Sequence, residues 1–139
     1  MKSLLHPLPL VTTLACFVLL PGCFGGGDTP DLADVSGVVT LDGKPLAEAT
    51  VLFQPLSGRP SAGTTDQDGK FRLRYTASET GAKIGDHKVI IRKEVAGKDR
   101  GGESVWKETV PDIYNQRTTL TATVEPGTNT INFELPNAK

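Results

Sequence analysis

The sequence lacks a surplus of charge of either sign, and that balance excludes one large class of proteins. Its 15 Lys and Arg residues are offset by 16 Asp and Glu residues, which leaves a formal net charge of −1. Binding to nucleic-acid phosphates needs basic residues concentrated on one surface. We therefore expect no nucleic acid as a partner.

A helical pattern is also missing. Apart from a weak signal around residues 77–82, no segment repeats its apolar residues with the 3.6-residue period of a helix. Gly and Pro are frequent instead, with 15 and 10 copies among 139 residues. Such a composition is typical of short strands joined by tight turns, and the length favours a single domain.

The longest hydrophobic run is too short to cross a membrane. It covers 13 residues, from position 8 to position 20, whereas a spanning helix needs about 20. Lys2 precedes this run, as the positive residue of a secretory signal peptide does.

Cysteine is scarce, because the chain contains only Cys16 and Cys23. The segment Leu20-Pro21-Gly22-Cys23 resembles the lipobox of bacterial lipoproteins, in which a small residue precedes an acylated Cys. The resemblance implies a lipoprotein signal peptide over residues 1–22 and a lipid on Cys23. Cys16 follows Ala15 inside the apolar run and ranks below Cys23. The alternative is a Cys that lies by chance near an ordinary signal cleavage site.

Cleavage before Cys23 would leave one cysteine in the mature chain, so no internal disulfide could form. Acylation would also remove a free thiol from an oxidising compartment. Phe24 follows the Cys, in place of the Asp that retains many lipoproteins at the inner membrane. By that analogy we expect a lipid-anchored protein of the cell envelope, at the outer membrane.

Residues 23–34 are predicted to be the lipidated Cys and a flexible tether, because residues 24–34 are Gly-rich and acidic. From residue 35 onward apolar residues alternate with polar ones, as in strands with one buried face. Turn pairs such as Asp42-Gly43 and Asp68-Gly69 separate the strands. Seven strands are predicted, at residues 35–41, 51–53, 61–65, 70–75, 87–91, 120–124 and 131–135.

This pattern predicts an all-β, antiparallel sandwich over residues 35–136. The clearest alternation lies in the fourth strand, where apolar and basic residues follow one another. We expect six apolar side chains in the core: Phe53, Phe71, Leu73, Val89, Ile91 and Phe133. We expect three basic side chains in water: Lys70, Arg72 and Arg74.

Four segments in order, "VSGVVTLDGKPLAEATVLFQP", "GTTDQDGKFRL", "GDHKVII" and "TLTATVEPGTNTINFEL", resemble the carboxypeptidase regulatory-like, transthyretin-like domain. The resemblance covers about residues 35 to 135. It implies a seven-stranded Greek-key sandwich. It implies no catalytic residues, because in carboxypeptidases this domain is an accessory to the enzyme.

Residues for catalysis or metal binding are missing from the mature sequence. A zinc peptidase or a Ser-His-Asp triad would have to use His87, the one His after residue 22. His87 shares a face with Val89 and Ile91, so we interpret it as a half-buried packing residue near a sheet end. The acidic segment Asp66-Gln67-Asp68-Gly69 lacks the further ligands of a calcium loop and is interpreted as a hairpin turn. We predict no enzyme activity, no metal and no cofactor.

The connection over residues 94–118 is longer than a compact sandwich needs, and such loops are usually functional or disordered. It carries Trp106 and Tyr114, the candidate binding residues. Either these rings are exposed and bind a partner or sugar, or they fold back and close an end of the sandwich. We predict poor order over residues 95–104 and a segment docked on the sheet or its edge over residues 106–114.

Two functions remain open from the sequence. The first is a non-enzymatic, membrane-anchored envelope lipoprotein whose sandwich is a structural or protein-interaction module. The second is a module that binds carbohydrate or a small solute through residues 94–118. The expected partners are therefore the membrane, through Cys23, and an envelope protein or polysaccharide.

Overall fold

The computed structural model describes residues 30–137. The predicted signal peptide, Cys23 and most of the predicted tether lie outside the described residues. Twelve short strands and one turn of 3-10 helix, Asp112–Tyr114, are present in the described part. The strands are β1 (Leu32–Leu41), β2 (Lys44–Pro45), β3 (Thr50–Pro55), β4 (Ser61–Thr64), β5 (Lys70–Arg72), β6 (Ala82–Lys83), β7 (Gly85–Arg92), β8 (Glu94–Lys98), β9 (Ser104–Glu108), β10 (Thr121–Val124), β11 (Thr128–Thr130) and β12 (Phe133–Leu135).

The first sheet is built around β1. On one side β1 pairs in parallel with β11 and then β12, for example Val39 with Phe133. On the other side it pairs antiparallel with β2, β5 and β6. β1 pairs with five short strands because its ten residues present main-chain N–H and C=O groups along both edges, and each partner pairs with a different part of it.

The second sheet is antiparallel, with the strand order β10-β7-β3-β4. Val51 and Phe53 of β3 lie opposite Ile91 and Val89 of β7, and all four side chains are fully buried. The two sheets pack face to face, since the ring of Phe53 meets the edge of Phe133 from the first sheet at a centroid distance of 6.1 Å. The predicted all-β sandwich is confirmed, and so are the six core residues and the three exposed basic residues.

The turn between β1 and β2 has the conformation that its Asp42-Gly43 pair predicts. Asp42 and Gly43 have φ values of 50° and 75°, which a type I′ hairpin turn requires. The next strand, β2, begins at once, and its Pro45 lies opposite Thr40 in a two-residue strand. A Pro fits there because a short edge strand leaves its nitrogen free of the sheet ladder.

The structure differs from the prediction in the number and direction of the strands. Seven antiparallel strands are predicted, whereas twelve lie among the described residues and β1 runs parallel to β11 and β12. The strand bounds differ as well. β1 begins at Leu32, within the predicted tether, because Leu32 and Ala33 pair with Lys83 and Ala82. The last predicted strand, at residues 131–135, is reduced to β12 (Phe133–Leu135), and an additional strand, β11 (Thr128–Thr130), precedes it. Between them, the side-chain oxygen of Asn132 accepts the main-chain N–H of Val38 at 2.9 Å.

The prediction of poor order over residues 95–104 is wrong. The segment contains most of β8 and the first residue of β9, and these two strands pair in register from the Glu94–Glu108 pair to the Lys98–Ser104 pair. The two strands are joined by a turn that the side chain of Asp99 stabilises. The Oδ1 atom of Asp99 accepts the main-chain N–H groups of Gly101 and Glu103 at 2.8 and 3.0 Å.

Candidate functional site

The β8–β9 hairpin projects from the sandwich as a separate two-stranded sheet. Its residues are exposed except for Gly97 and Glu108, which are half-buried. A two-stranded hairpin is at best marginally stable alone in water, so its attachment to the sandwich determines how well it is held.

The attachment is a cluster of hydrogen bonds at the base of the hairpin. The Oε1 atom of Glu108 accepts three main-chain N–H groups, those of Lys93, Thr109 and Val110, at distances of 2.9 to 3.0 Å. The carbonyl oxygen of Lys93 in turn accepts the N–H and the hydroxyl of Thr109, each at 2.9 Å. Bonds to an ionised carboxylate are stronger than neutral ones, so this cluster fixes the direction in which the hairpin leaves the sheet.

Trp106 is the most prominent side chain of the hairpin. It is 73% exposed and lies opposite Ala96 in the register of the two strands. Val95 and Val105 are also exposed, and their positions fall on the opposite face, because side chains alternate along a strand. Both faces of the hairpin therefore present apolar side chains to solvent.

A cleft of about 290 Å³ lies beside Trp106. Its lining residues are of mixed charge, with Glu48, Thr50, Arg92 and Glu94 around the indole. Glu48 has a φ of 58°, an uncommon conformation for a residue other than Gly. Its N–H donates to the carbonyl oxygen of Thr65 at 3.0 Å, which holds this backbone beside the cleft.

Tyr114 has a different role from Trp106. It is only 7% exposed, and its hydroxyl donates to the carbonyl oxygen of Pro136 at 2.6 Å. Val110 on the same segment is buried as well. Of the two alternatives that the sequence leaves open, Tyr114 is folded back and Trp106 is exposed, so the predicted docking over residues 106–114 is wrong at Trp106. The two rings do not form a shared exposed platform, because one belongs to the core and the other to the hairpin.

The segment around Tyr114 is held by its own polar contacts. Asn115 donates from Nδ2 to the carbonyl oxygens of Val110 and Pro111 at 3.1 and 3.2 Å. Arg117 makes a two-pronged ion pair with Asp112, with N···O distances of 2.7 and 2.8 Å. The hydrogen bond from Arg117, aided by its charge, lowers the pKa of Asp112 below the ordinary 3.8, against a smaller opposing effect of desolvation. The same bond raises the pKa of Arg117.

His87 is a packing residue, more deeply buried than predicted. Its ring lies 5.5 Å from that of Phe53, and Nε2 donates to the carbonyl oxygen of Lys83 at 2.7 Å. The Nδ1 atom has no hydrogen-bond partner among the described residues. Packing against Phe53 in the core and the hydrogen bond to Lys83 therefore hold His87 in position.

The acidic segment at residue 66 is a hairpin turn, as interpreted from the sequence. The Oδ1 atom of Asp66 accepts the N–H groups of Asp68 and Lys70, each at 2.9 Å. Over residues 30–137, no three His, Cys, Asp or Glu side chains are grouped as metal ligands would be. No helix in the same range is long and apolar enough to span a bilayer.

The chain matches no protein-family model, and no curated protein is similar to it in sequence. Among solved structures it is similar to a DUF3823 family protein from Parabacteroides merdae, with 17% identity and a TM-score of 0.44. That alignment covers 78% of this chain and 47% of the other, so this chain spans less than half of the other's length. A 9R-lipoxygenase from Cyanothece is similar at 15% identity and a TM-score of 0.36, over 76% of this chain and 16% of the enzyme.

Proposed function

We propose that this chain is a non-enzymatic, lipid-anchored envelope protein whose β8–β9 hairpin binds a protein partner through Trp106. The observation that carries the proposal is the indole of Trp106, 73% exposed on a hairpin that is attached firmly at its base. The sandwich core is complete without this side chain. An aromatic side chain that the fold does not use is suited to be the centre of an interface.

The exposed apolar residues of the hairpin support a protein as the partner. Trp106 lies on one face, and Val95 and Val105 lie on the other. A partner that encloses the hairpin would cover both faces and would also stabilise a two-stranded sheet that is marginal alone. A tryptophan buries roughly 150–250 Å² when it enters an interface and is among the residues that dominate binding energy.

The decisive experiment is capture of partners from envelope extracts by crosslinking to the full mature chain. Trp106→Ala should abolish capture and leave the melting temperature nearly unchanged. Val105→Ala truncates a smaller apolar side chain on the opposite face of the same strand, and we expect it to weaken capture less than Trp106→Ala does. If capture survives Trp106→Ala at full strength, the hairpin face that carries the indole is not the binding surface.

Carbohydrate is the second candidate ligand, and the cleft beside Trp106 favours it. An indole flanked by Glu48 and Arg92 offers an apolar ring for stacking and charged groups for hydroxyls. Titration with envelope polysaccharide fragments should then quench the fluorescence of Trp106, the single tryptophan of the chain. Glu48→Gly should reduce this binding without loss of stability, because Gly suits the φ of 58° at that position.

Membrane attachment through Cys23 is the other part of the proposal. Its support is the lipobox resemblance of Leu20-Pro21-Gly22-Cys23, and the order of the strand motifs supports a carboxypeptidase regulatory-like domain. One acyl chain binds a membrane only marginally, so stable attachment requires more than one. Cys23→Ala should yield soluble protein or unprocessed precursor. Mature protein that stays on membranes after this change would contradict the anchor.

A further inference from the structure

Strand β10 forms an open edge of the antiparallel sheet. It pairs only with β7 among the described residues. The opposite edge, β4, is different, because Ala62 exchanges main-chain hydrogen bonds with Arg74 at 2.8 and 3.0 Å. One edge of this sheet is thus hydrogen-bonded to the segment around Arg74, whereas the part of the chain that the structure describes places no strand beside the other edge.

The free main-chain groups of β10 can be assigned. The N–H of Val89 donates to the carbonyl oxygen of Leu120 at 2.9 Å, so the Leu120 position is hydrogen-bonded to β7. Bonded and non-bonded positions alternate along an antiparallel pair. Ala122 therefore bonds to β7, whereas the N–H and C=O groups of Thr121 and Thr123 point away from the sheet.

Within residues 30–137, no strand other than β7 pairs with this edge. Residues 118–124, "TTLTATV", contain no charged residue, no Pro and no Gly. Natural proteins usually place such residues on exposed edges, because an unprotected edge is a template for another strand. A groove of about 480 Å³ runs beside β10, and Leu56, which is 95% exposed, lines it.

We propose that β10 pairs antiparallel with β10 of a second copy of this chain, about a two-fold axis beside Ala122. The occupant is a second copy because the edge is complementary to itself in this register. Thr121 of each copy lies opposite Thr123 of the other, and each such pair exchanges two N–H···O bonds. A two-fold contact requires this reciprocity, in which the same residues face each other from both sides.

The side chains fit this register on both faces of the paired strands. On the inner face Ala122 meets its own copy at the closely spaced position, where its small side chain fits without a clash. Leu120, half-buried in the single chain, lies opposite Val124 of the second copy and extends the apolar core across the axis. On the outer face threonines lie opposite threonines, a favourable cross-strand pair.

Charge is also compatible with the pairing. In the sheet Lys88 lies opposite Thr121, and Asp86 lies opposite Thr123. Each cross-strand row of the dimer therefore begins at Lys88 of one copy and ends at Asp86 of the other. No like charges face each other across the axis.

The pairing is short, so we expect a weak dimer in solution. Four-residue strands cover far less than the roughly 800 Å² per partner of a standard interface. Attachment of both copies to one membrane would raise their effective concentration and favour pairing. The contact itself depends neither on that anchor nor on the Trp106 hairpin, so either could fail without affecting it.

Sedimentation equilibrium of the full mature chain in detergent tests the proposal. We expect a concentration-dependent dimer, and we expect the amides of Thr121 and Thr123 to exchange hydrogen more slowly as the dimer forms. Thr121→Pro should weaken the dimer about tenfold or more, because it removes an N–H from both halves of the contact. The single chain loses no bond, since Pro is tolerated where an edge N–H faces solvent.

Thr123→Lys is a second variant that preserves the strand and places a charge on the edge, and it should also weaken the dimer. Thr64→Lys is the matched control, on an exposed Thr at the opposite, covered edge of the same sheet. It should leave the dimer unchanged. A chain that stays monomeric at millimolar concentration would overturn the proposal, as would a dimer that both edge variants leave intact. An edge that pairs only with a strand of another protein would give the monomeric result.

Discussion

Glu108 and Lys93 are joined across the base of the β8–β9 hairpin by a hydrogen bond of 2.9 Å from the N–H of Lys93 to Oε1 of Glu108. Lys93 directly follows β7, a central strand of the antiparallel sheet. The bond therefore connects an exposed hairpin to the rigid part of the molecule. The same oxygen also accepts the N–H groups of Thr109 and Val110, so one carboxylate organises both ends of the hairpin.

Glu108→Ala should loosen the hairpin and leave the core intact. Three main-chain donors lose their common acceptor, and we expect unfolding to become easier by about 1–3 kcal/mol. Hydrogen exchange should accelerate at Lys93 and Val110 while the amides of β3 remain protected. Glu103→Ala is the control, because only its main chain contributes to the turn. Equal exchange rates in the two variants would show that the carboxylate does not hold the hairpin.

The hairpin also shows what sequence reasoning missed and which signal was available. Its turn repeats the turn at residue 66. In each, an Asp accepts two main-chain N–H groups at Oδ1 and a Gly with positive φ follows three residues later. Clear strand alternation flanks the first turn, so the sequence predicts a hairpin there. The second turn, from Asp99 to Gly102, joins strands that are exposed on both faces and give no apolar alternation, so the sequence does not predict it.

Which of the two rings, Trp106 or Tyr114, is buried could not be predicted from the sequence, for a related physical reason. The core residues of the sandwich could be predicted from the sequence because a strand with alternating apolar and polar residues buries its apolar face. Burial of a loop aromatic depends on where the loop docks, which local pattern does not encode. Tyr114 docks because its hydroxyl reaches the carbonyl oxygen of Pro136, a residue 22 positions further along the chain. The predicted binding role of Trp106 stays a prediction.

Phe71→Ala should cost far more stability than its neighbour Arg72→Ala. Phe71 is buried, with its ring 6.2 Å from that of Phe133, so its truncation should cost roughly 3–5 kcal/mol. Arg72 is exposed, and its 3.0 Å ion pair with Asp34 is worth at most about 1 kcal/mol. Urea unfolding of both variants measures the difference. The opposite order would mean that this strand is shifted in register by one residue.

Gly37→Ala should destabilise the sandwich although it adds a single methyl group. A Cβ at this position would lie 1.8 Å from the carbonyl oxygen of Ile131, at the break between β11 and β12. The main chain must therefore shift, at a cost of about 1–3 kcal/mol or more. Gly97→Ala is the control, because its nearest neighbour would be 3.9 Å away. If both variants melt at the same temperature, the close approach of β1 to Ile131 is not present in solution.

Asp112→Asn should change stability in a pH-dependent way. The hydrogen bond and charge of Arg117 lower the pKa of Asp112 in the folded chain below its ordinary 3.8. Between the lower pKa of the folded state and 3.8, the folded chain binds fewer protons than the unfolded chain, so stability rises with pH in this range. The contribution of the pair is complete above pH 3.8 and is lost as the pH falls through the lower pKa of the folded state. Both residues are exposed, so the effect is expected to be small and reduced by salt.

Urea midpoints of the wild type and of Asp112→Asn, measured at neutral pH and well below pH 3.8, test this sign. The wild type should be the more stable at neutral pH, and the difference should shrink in acid. Arg117→Gln removes the other partner and should reproduce the same pH dependence. The double variant should show no further loss, because each single change already breaks the pair. A difference that is constant with pH would mean that the ionisation of Asp112 does not contribute to the stability of the folded chain.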